Sequence, residues 1–386
     1  MAAAGVTAGA PPRLLAASEP PEARGLTRDG VRLMVSRVER DVVEHARFCD
    51  LYRWLAPGDV LAVNTSATLK AALAGLSDRG DAFELHLSTP EPATIPDLSR
   101  YLRNGAARST LRWVVELRRP GPVASLPFRE AAEGLRLRLP GGGRATLSQP
   151  YHAPARRSTR LWVATLDLPQ PLAVYLDAHG APIRYDYVPN RWPIDAYQTV
   201  FAAHPGSAEM PSAGRPFTRE LVTILSRRGV QIVPLTLHTG VSSLEDNEPP
   251  YAEYFDVPQS TASALNAARR RGNRTVAVGT TVVRALETAT DERGVTRAAS
   301  GWTDLIVGPD HQLRSVDSLI TGLHAPGASH LMMLDSVAQS AAHLDRAYAE
   351  ARRDGYLWHE FGDSHLLLGN RRSHRPATLR LRSGPS

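Results

Sequence analysis

Leu135-Arg136-Leu137-Arg138-Leu139 alternates leucine with arginine, residue by residue. In an extended strand successive side chains point to opposite faces, so this stretch has one buried face and one wet face. The same period of two runs through Phe83-Glu84-Leu85-His86-Leu87, Leu111-Arg112-Trp113-Val114-Val115-Glu116-Leu117 and Leu161-Trp162-Val163-Ala164-Thr165-Leu166. Pro120-Gly121-Pro122 and Gly141-Gly142-Gly143 punctuate these runs. Several short strands separated by such turns predict a small antiparallel barrel or sandwich over residues 68–182.

Outward from this region the pattern changes to alternating strands and helices. On the N-terminal side, Leu33-Met34-Val35 reads as a strand. Glu44–Leu55 carries Phe48, Leu51 and Leu55 at helical spacing, and Val60-Leu61-Ala62-Val63 reads as a short buried strand. On the C-terminal side helices are expected at Phe217–Arg228, Ala262–Arg271 and Thr281–Thr290, with a helical pair at Ser329–Ala341 and Leu344–Asp354. Strands are expected at Gln231–Leu237, Thr275–Val278, Leu305–Val307 and Tyr356–Phe361. The fold class expected is α/β: a mixed-sheet domain from residues 13–67 and 183–368, interrupted by the β domain of 68–182. Residues 1–12 and 370–386 read as flexible tails.

Composition narrows the function classes. The chain of 386 residues carries a formal net charge of +6 and a pI near 9.7, compatible with a polyanionic partner. Lys70 is the only lysine, so the basicity is nearly all arginine; this resembles a coding bias as much as a nucleic-acid signature. Cys49 is the only cysteine, which excludes intrachain disulfides, cysteine zinc sites and iron–sulfur clusters. No apolar run is long enough to span a bilayer, and the N-terminus lacks a basic signal-peptide start. A cytoplasmic protein, a monomer without membrane contact, is the expectation.

The candidate site residues lie where apolar runs end in small or polar residues. Tyr197-Gln198-Thr199-Val200-Phe201-Ala202 leads to Gly206-Ser207 and then to Pro211-Ser212-Ala213-Gly214, where small side chains let a ligand approach the main chain. Thr218 reads as the N-cap of the following helix. Gly279-Thr280-Thr281 joins a strand to a helix, and its free N–H groups and two hydroxyls suit a polar or anionic ligand; a plain N-cap is the alternative. His238 and His324 both end apolar runs, as proton donors or acceptors or as partners of a neighbouring loop. Glu253, between tyrosines, suits an ammonium or hydroxyl group, or is a solvated loop acid. Arg284 and Glu287 stand three apart on one helix and can pair. Asp363, in an apolar segment, must find a donor. Arg28, Asp29 and Arg32 read as a solvated cluster. No metal-ligand spacing is visible.

Taken together these segments resemble the S-adenosylmethionine:tRNA ribosyltransferase-isomerase family of queuosine biosynthesis. The resemblance runs in order from about Arg24 to Leu367. It rests on Arg28-Asp29, Gly58-Asp59 with Asn64-Thr65, Tyr197–Ala202, Pro211 with Ala213-Gly214 and Phe217-Thr218, Thr236-Leu237-His238, Ala277–Thr281 with Arg284 and Glu287, Leu319-Ile320-Thr321 with His324, and Gly362-Asp363. It implies an α/β domain with an inserted β-barrel. It implies S-adenosylmethionine as co-substrate without a metal. The ribosyl group would move to the aminomethyl group of a 7-deazaguanine in tRNA, giving epoxyqueuosine, adenine and methionine. The implied ligand residues are Gly279, Thr280, Thr281, Ser212, Ala213 and Gly214; the implied proton-transfer set is His238, His324 and Glu253. The chain departs from the family pattern at several positions. Arg215-Pro216 replace Leu-His, Glu209-Met210 replace two alanines, Tyr251 replaces a histidine and Ala67 an arginine. The alternatives are a paralogue acting on a small amine or deazapurine, or a non-catalytic binding protein.

Overall fold

A computed structural model describes residues 15–92, 109–151, 160–241, 251–323 and 329–369. The tails read as flexible, residues 1–12 and 370–386, fall outside these ranges.

Two sheets organise the chain. The larger has nine strands in the order Ala299–Thr303, Glu253–Val257, Gln231–Leu237, Val60–Asn64, Thr275–Val278, Ser318–Gly322, Ser364–Leu368, Arg32–Arg37 and Val42–Arg47. Its centre is four parallel strands: Val60–Asn64 pairs with Gln231–Leu237 on one side and Thr275–Val278 on the other, and the latter pairs with Ser318–Gly322. Antiparallel partners finish both flanks, so the sheet is mixed. The run Val60–Val63 is apolar throughout because both faces are covered. Val60 and Ala62 pack into one core with Ala262, Leu265 and Leu286, while Leu61 and Val63 pack into the other with Phe217 and Leu221.

The smaller sheet is a closed antiparallel barrel of six strands: Ala72–Ser77, Ala82–Pro90, Ser109–Arg119, Leu161–Leu168, Arg144–Pro150 and Arg136–Arg138. The alternation at 135–139 falls as its chemistry demands. Leu137 and Leu139 are buried with Leu73, Leu85 and Leu147, and Arg136 and Arg138 are exposed. At the junction, Ser66–Thr68 pairs in parallel with His204–Ser207. Gln198 bonds both the N–H and the C=O of Thr68, at 3.0 and 2.9 Å. No helix among the described residues is long and apolar enough to cross a membrane.

Three local expectations are corrected. Residues 44–55 are not one helix: Val42–Arg47 is an edge strand on Arg32–Arg37, followed by a 3₁₀ turn, Phe48–Arg53. Phe48 and Leu51 are fully buried, and a spacing of three serves a 3₁₀ turn as well as an α-helix. Leu305–Val307 is not a strand; the pairing strand ends at Thr303, and the Arg284 guanidinium takes the carbonyls of Thr303 and Leu305. Tyr356–Phe361 is not one strand either. Leu357–Trp358 pairs briefly with Leu15–Ala16, the chain turns at His359 (φ 71°), and the sheet strand is Ser364–Leu368. The helices at Arg219–Arg227, Gln259–Arg270, Thr280–Thr288, Ser329–Ala338 and Ala341–Arg353 lie close to their expected places, and Thr218 Oγ1 caps the first by accepting from Leu221 N–H at 3.1 Å.

Candidate active site

A cleft of about 270 Å³ opens at the carboxyl ends of the central parallel strands. Open α/β sheets bind ligands there because the loops and helix N-termini that follow the strands converge on that edge. Thr239-Gly240 follow one strand, Gly279 the next, and Thr321-Gly322 end a third; all line the cleft.

The two small-residue turns meet here. Gly279 has φ 99° and ψ 152°, a conformation that L side chains rarely adopt, so glycine is required where Thr275–Val278 turns into the helix Thr280–Thr288. Its neighbour across the turn is Ala213, whose Cβ lies 3.4 Å from where a side chain on Gly279 would begin. Ser212–Gly214 forms a 3₁₀ turn. Ser212, Ala213, Gly279, Thr280 and Thr281 all line the cleft, while Gly214 is buried behind them. Asn64 organises the base of the site: its side chain bonds the N–H and C=O of Leu237 at 3.0 and 2.8 Å and lies 3.4 Å from Thr281 Oγ1. The first N–H groups of a helix with two hydroxyls therefore face a cavity, an arrangement suited to a carboxylate or phosphate.

Glu253 also lines the cleft, and both its oxygens are engaged. Oε1 accepts from Gly240 N–H at 2.8 Å, and Oε2 pairs with the Arg284 guanidinium. Arg284 further donates to the carbonyls of Leu305, Tyr251 and Thr303 at 3.0–3.1 Å. It does not pair with Glu287, whose carboxylate instead accepts from the backbone of Arg314 and Ser315. The arginine side chain is drawn inward because it satisfies a whole loop of carbonyls. Tyr251, standing where the resemblance expects a histidine, donates its hydroxyl to Val241 C=O at 2.5 Å and shares a hydrogen bond with Ser88 of the barrel at 2.7 Å. Burial, with Glu253 beside it, holds its phenol well above the usual range.

His238 is 1 % exposed and lies behind the cleft wall. Its Nδ1 is 2.7 Å from Ser66 Oγ, which is 2.6 Å from Ser207 Oγ, and its ring stacks on Tyr254. It is placed to fix the Thr239-Gly240 loop. His324 lies outside the described residues, just beyond Thr321-Gly322. Asp363 finds the donors its burial demands: the N–H of Arg32 and of Leu357 at 2.8 Å, and the Arg32 guanidinium at 2.9 Å. Arg32 therefore is not simply solvated, and Asp363 is a structural anchor. Arg215 is 2 % exposed and bonds Glu22 and the carbonyl of Ala196, so it braces the N-terminal segment.

Sequence reasoning missed one wall of the cleft. Tyr185 and Tyr187 stack at 5.9 Å, and Tyr187 stacks on His359 at 4.1 Å with 12° between planes. The Tyr185 hydroxyl bonds Glu209, and the Tyr187 hydroxyl donates to Glu360 Oε2 at 2.5 Å. All five line the cleft. Burial pushes Glu360 up to about 7; the Tyr187 hydrogen bond opposes this and the charge of Glu209 adds to it. Burial raises both phenols well above their ordinary value, and Tyr197, also on this wall, to about 12. The available signals were Tyr185-Asp186-Tyr187 and the charged His359-Glu360 step inside an apolar segment. Reading 356–361 as one strand hid the second.

The sequence matches the model of a family described as queuosine biosynthesis protein over residues 10–367. An S-adenosylmethionine:tRNA ribosyltransferase-isomerase of Moorella thermoacetica is 36% identical, with 88% of this chain and 94% of that protein covered. One of the same description from Symbiobacterium thermophilum is 33% identical over 92% and 97%. The crystal structure of an S-adenosylmethionine tRNA ribosyltransferase from Thermotoga maritima is 27% identical, covering 93% of this chain and 98% of that one, with a TM-score of 0.48.

Proposed function

Because the chain belongs to the queuosine biosynthesis protein family, we propose that it is an S-adenosylmethionine:tRNA ribosyltransferase-isomerase. It transfers and isomerises the ribosyl group of S-adenosylmethionine onto 7-aminomethyl-7-deazaguanine in tRNA, giving epoxyqueuosine, adenine and methionine. On the same reading it works in the cytoplasm as a monomer. The observation that carries the reading is the meeting of Ser212-Ala213 with Gly279-Thr280-Thr281 at the carboxyl edge of the sheet.

The sulfonium of the co-substrate acidifies the ribose 5′ carbon, so a base can remove that proton. Adenine then leaves, the acceptor amine attacks, and a ribose oxygen displaces methionine to close the epoxide. The chain's part is to bind, orient and move protons. The helix N-terminus at Gly279–Thr281 suits the carboxylate of the methionine head. Leu305, Ile306, Met332 and Met333 give the cleft an apolar side for the thioether chain and the adenine. Glu253 holds Arg284 and Gly240 in place, His238 holds the Thr239-Gly240 loop, and His324 is the proton-transfer candidate. Calorimetric titration with S-adenosylmethionine tests the binding half: heat and a raised melting temperature are expected, and neither at millimolar ligand contradicts the reading. Replacing His324 with alanine is expected to slow adenine release about a hundred- to ten-thousand-fold.

A further inference from the structure

We propose that Glu360 binds the primary ammonium of the acceptor base and takes its proton, with Glu209 reinforcing the negative field of that wall; this rests on the reading that an amine is ribosylated here.

Position comes first. Glu360 lines both the cleft at the strands' carboxyl ends and the small pocket that adjoins it. It is held there by a turn that the chain could not make at random. His359 sits at φ 71°, its ring is stacked against Tyr187, and Gly362 N–H closes on His359 C=O at 3.0 Å. A side chain at Gly362 would begin 2.4 Å from Leu357 O, so no larger residue fits. A non-glycine residue in the left-handed region beside a cleft is backbone strain of the kind found at ligand sites.

Chemistry comes second. The wall offers a stack of three flat rings, Tyr185, Tyr187 and His359, next to two carboxylates. A planar heterocycle bearing an ammonium presents the complement of both. The cations nearby are committed elsewhere: Arg284 to Glu253 and three carbonyls, Arg118, 5.7 Å over the Tyr185 ring, to Glu116 and Ser125, and Arg28 and Arg215, which share the adjoining pocket, to Glu22 and to the carbonyls of Gln198 and Ala196. The groups facing Glu360 are Glu209 and the phenols of Tyr187 and Tyr197, with His359 preceding it in the chain. The methionine head of the co-substrate also carries an ammonium, but its carboxylate would meet this acidic wall with the same sign of charge. The acceptor amine has no such group.

The step balances. An alkylammonium cannot attack until its nitrogen loses a proton. The Glu360 carboxylate takes that proton and becomes the neutral acid; adenine departs with the electron pair of its carbon–nitrogen bond, the freed lone pair of the amine forms the new nitrogen–carbon bond to the ribosyl group, and the two protons left on nitrogen stay on the product as a secondary ammonium. The Glu360 carboxyl, pushed up to about 7, can hold and release a proton at neutral pH.

The test uses the full chain, the free bases 7-aminomethyl-7-deazaguanine and its 7-hydroxymethyl analogue, and modified tRNA. Wild type should bind the amine about tenfold or more tighter than the neutral analogue. Glu360→Gln should abolish that preference and lower kcat on the modified tRNA roughly a hundredfold or more, with S-adenosylmethionine affinity and melting temperature held within error. Glu360→Asp should recover part of both losses, and Glu209→Gln should weaken the preference without abolishing it. Equal binding of the two bases by wild type, or a preference and kcat unchanged in Glu360→Gln, overturns the proposal. Absent binding of S-adenosylmethionine by wild type would instead fault the functional reading.

Discussion

Gly279 carries the densest information of any single position. Its φ of 99° is open to glycine and strained for any other residue, and its backbone opens the helix that faces the cleft. Gly279→Ala should destabilise the protein by about 1–2 kcal/mol and weaken S-adenosylmethionine binding tenfold or more. Thermal unfolding and calorimetry read the two effects; a variant with native affinity would remove this turn from the site. Gly279-Thr280-Thr281 and Ser212-Ala213 were legible in the sequence as small-residue turns, the first with a plain N-cap as its alternative reading; that both line one cleft is what the fold adds. Glu253 was legible as a special carboxylate but not as the partner of Arg284. Helical spacing offered Glu287 instead, and nothing local says that a loop of carbonyls will draw the guanidinium inward. Glu360 and Tyr187 were not legible as a pair, because only the tertiary fold brings them together.

Two elements hold charge or potential charge in places that water does not reach. In the sheet, His365 on Ser364–Leu368 is fully buried with Nε2 at 2.8 Å from Ser36 Oγ, and burial, with His343 adding, depresses its imidazole to about 3. The unfolded chain takes a proton on this histidine near pH 6.5, while the folded chain resists until about 3. Stability should therefore fall as pH drops through that window, by up to roughly 1.4 kcal/mol per unit from this group. Denaturation midpoints of wild type and His365→Leu at pH 7, 5 and 4 check this. The variant should lose less on acidification, and parallel losses would contradict the assignment. In the barrel, Glu116 is fully buried between Arg118 at 2.6 Å and Arg160 at 3.0 Å. Glu116→Gln leaves two buried guanidinium groups without that counter-charge and should cost about 3 kcal/mol in a denaturant titration; a loss under 1 kcal/mol would show that the pair is dispensable. Element identity was readable wherever one face is buried, as at Leu135–Leu139. It was misread where the period was ambiguous, as at 44–55, or where a single left-handed residue breaks an apolar run, as at His359.

At the scale of the molecule, the barrel backs a cleft that residues outside its six strands line. Ser88 of the barrel bonds Tyr251, and Thr68 at the barrel's root is clamped by Gln198. The change from helical to two-residue periodicity told that a barrel interrupts the α/β fold. It could not tell that the barrel would supply part of the support for the site, since such contacts join residues far apart in the chain. Of the positions that depart from the family pattern, Glu209, Met210 and Tyr251 line the cleft and Arg215 braces its surroundings, while Ala67 and Pro216 are not among the lining residues. A site altered at its walls over an intact ligand turn should still perform the reaction, at a rate those walls set. The most direct test is to incubate the purified chain with S-adenosylmethionine and tRNA carrying 7-aminomethyl-7-deazaguanine and to follow free adenine. The account predicts adenine release that requires both substrates and matches the modified tRNA formed. Bound S-adenosylmethionine with no adenine released in the presence of that tRNA would contradict it.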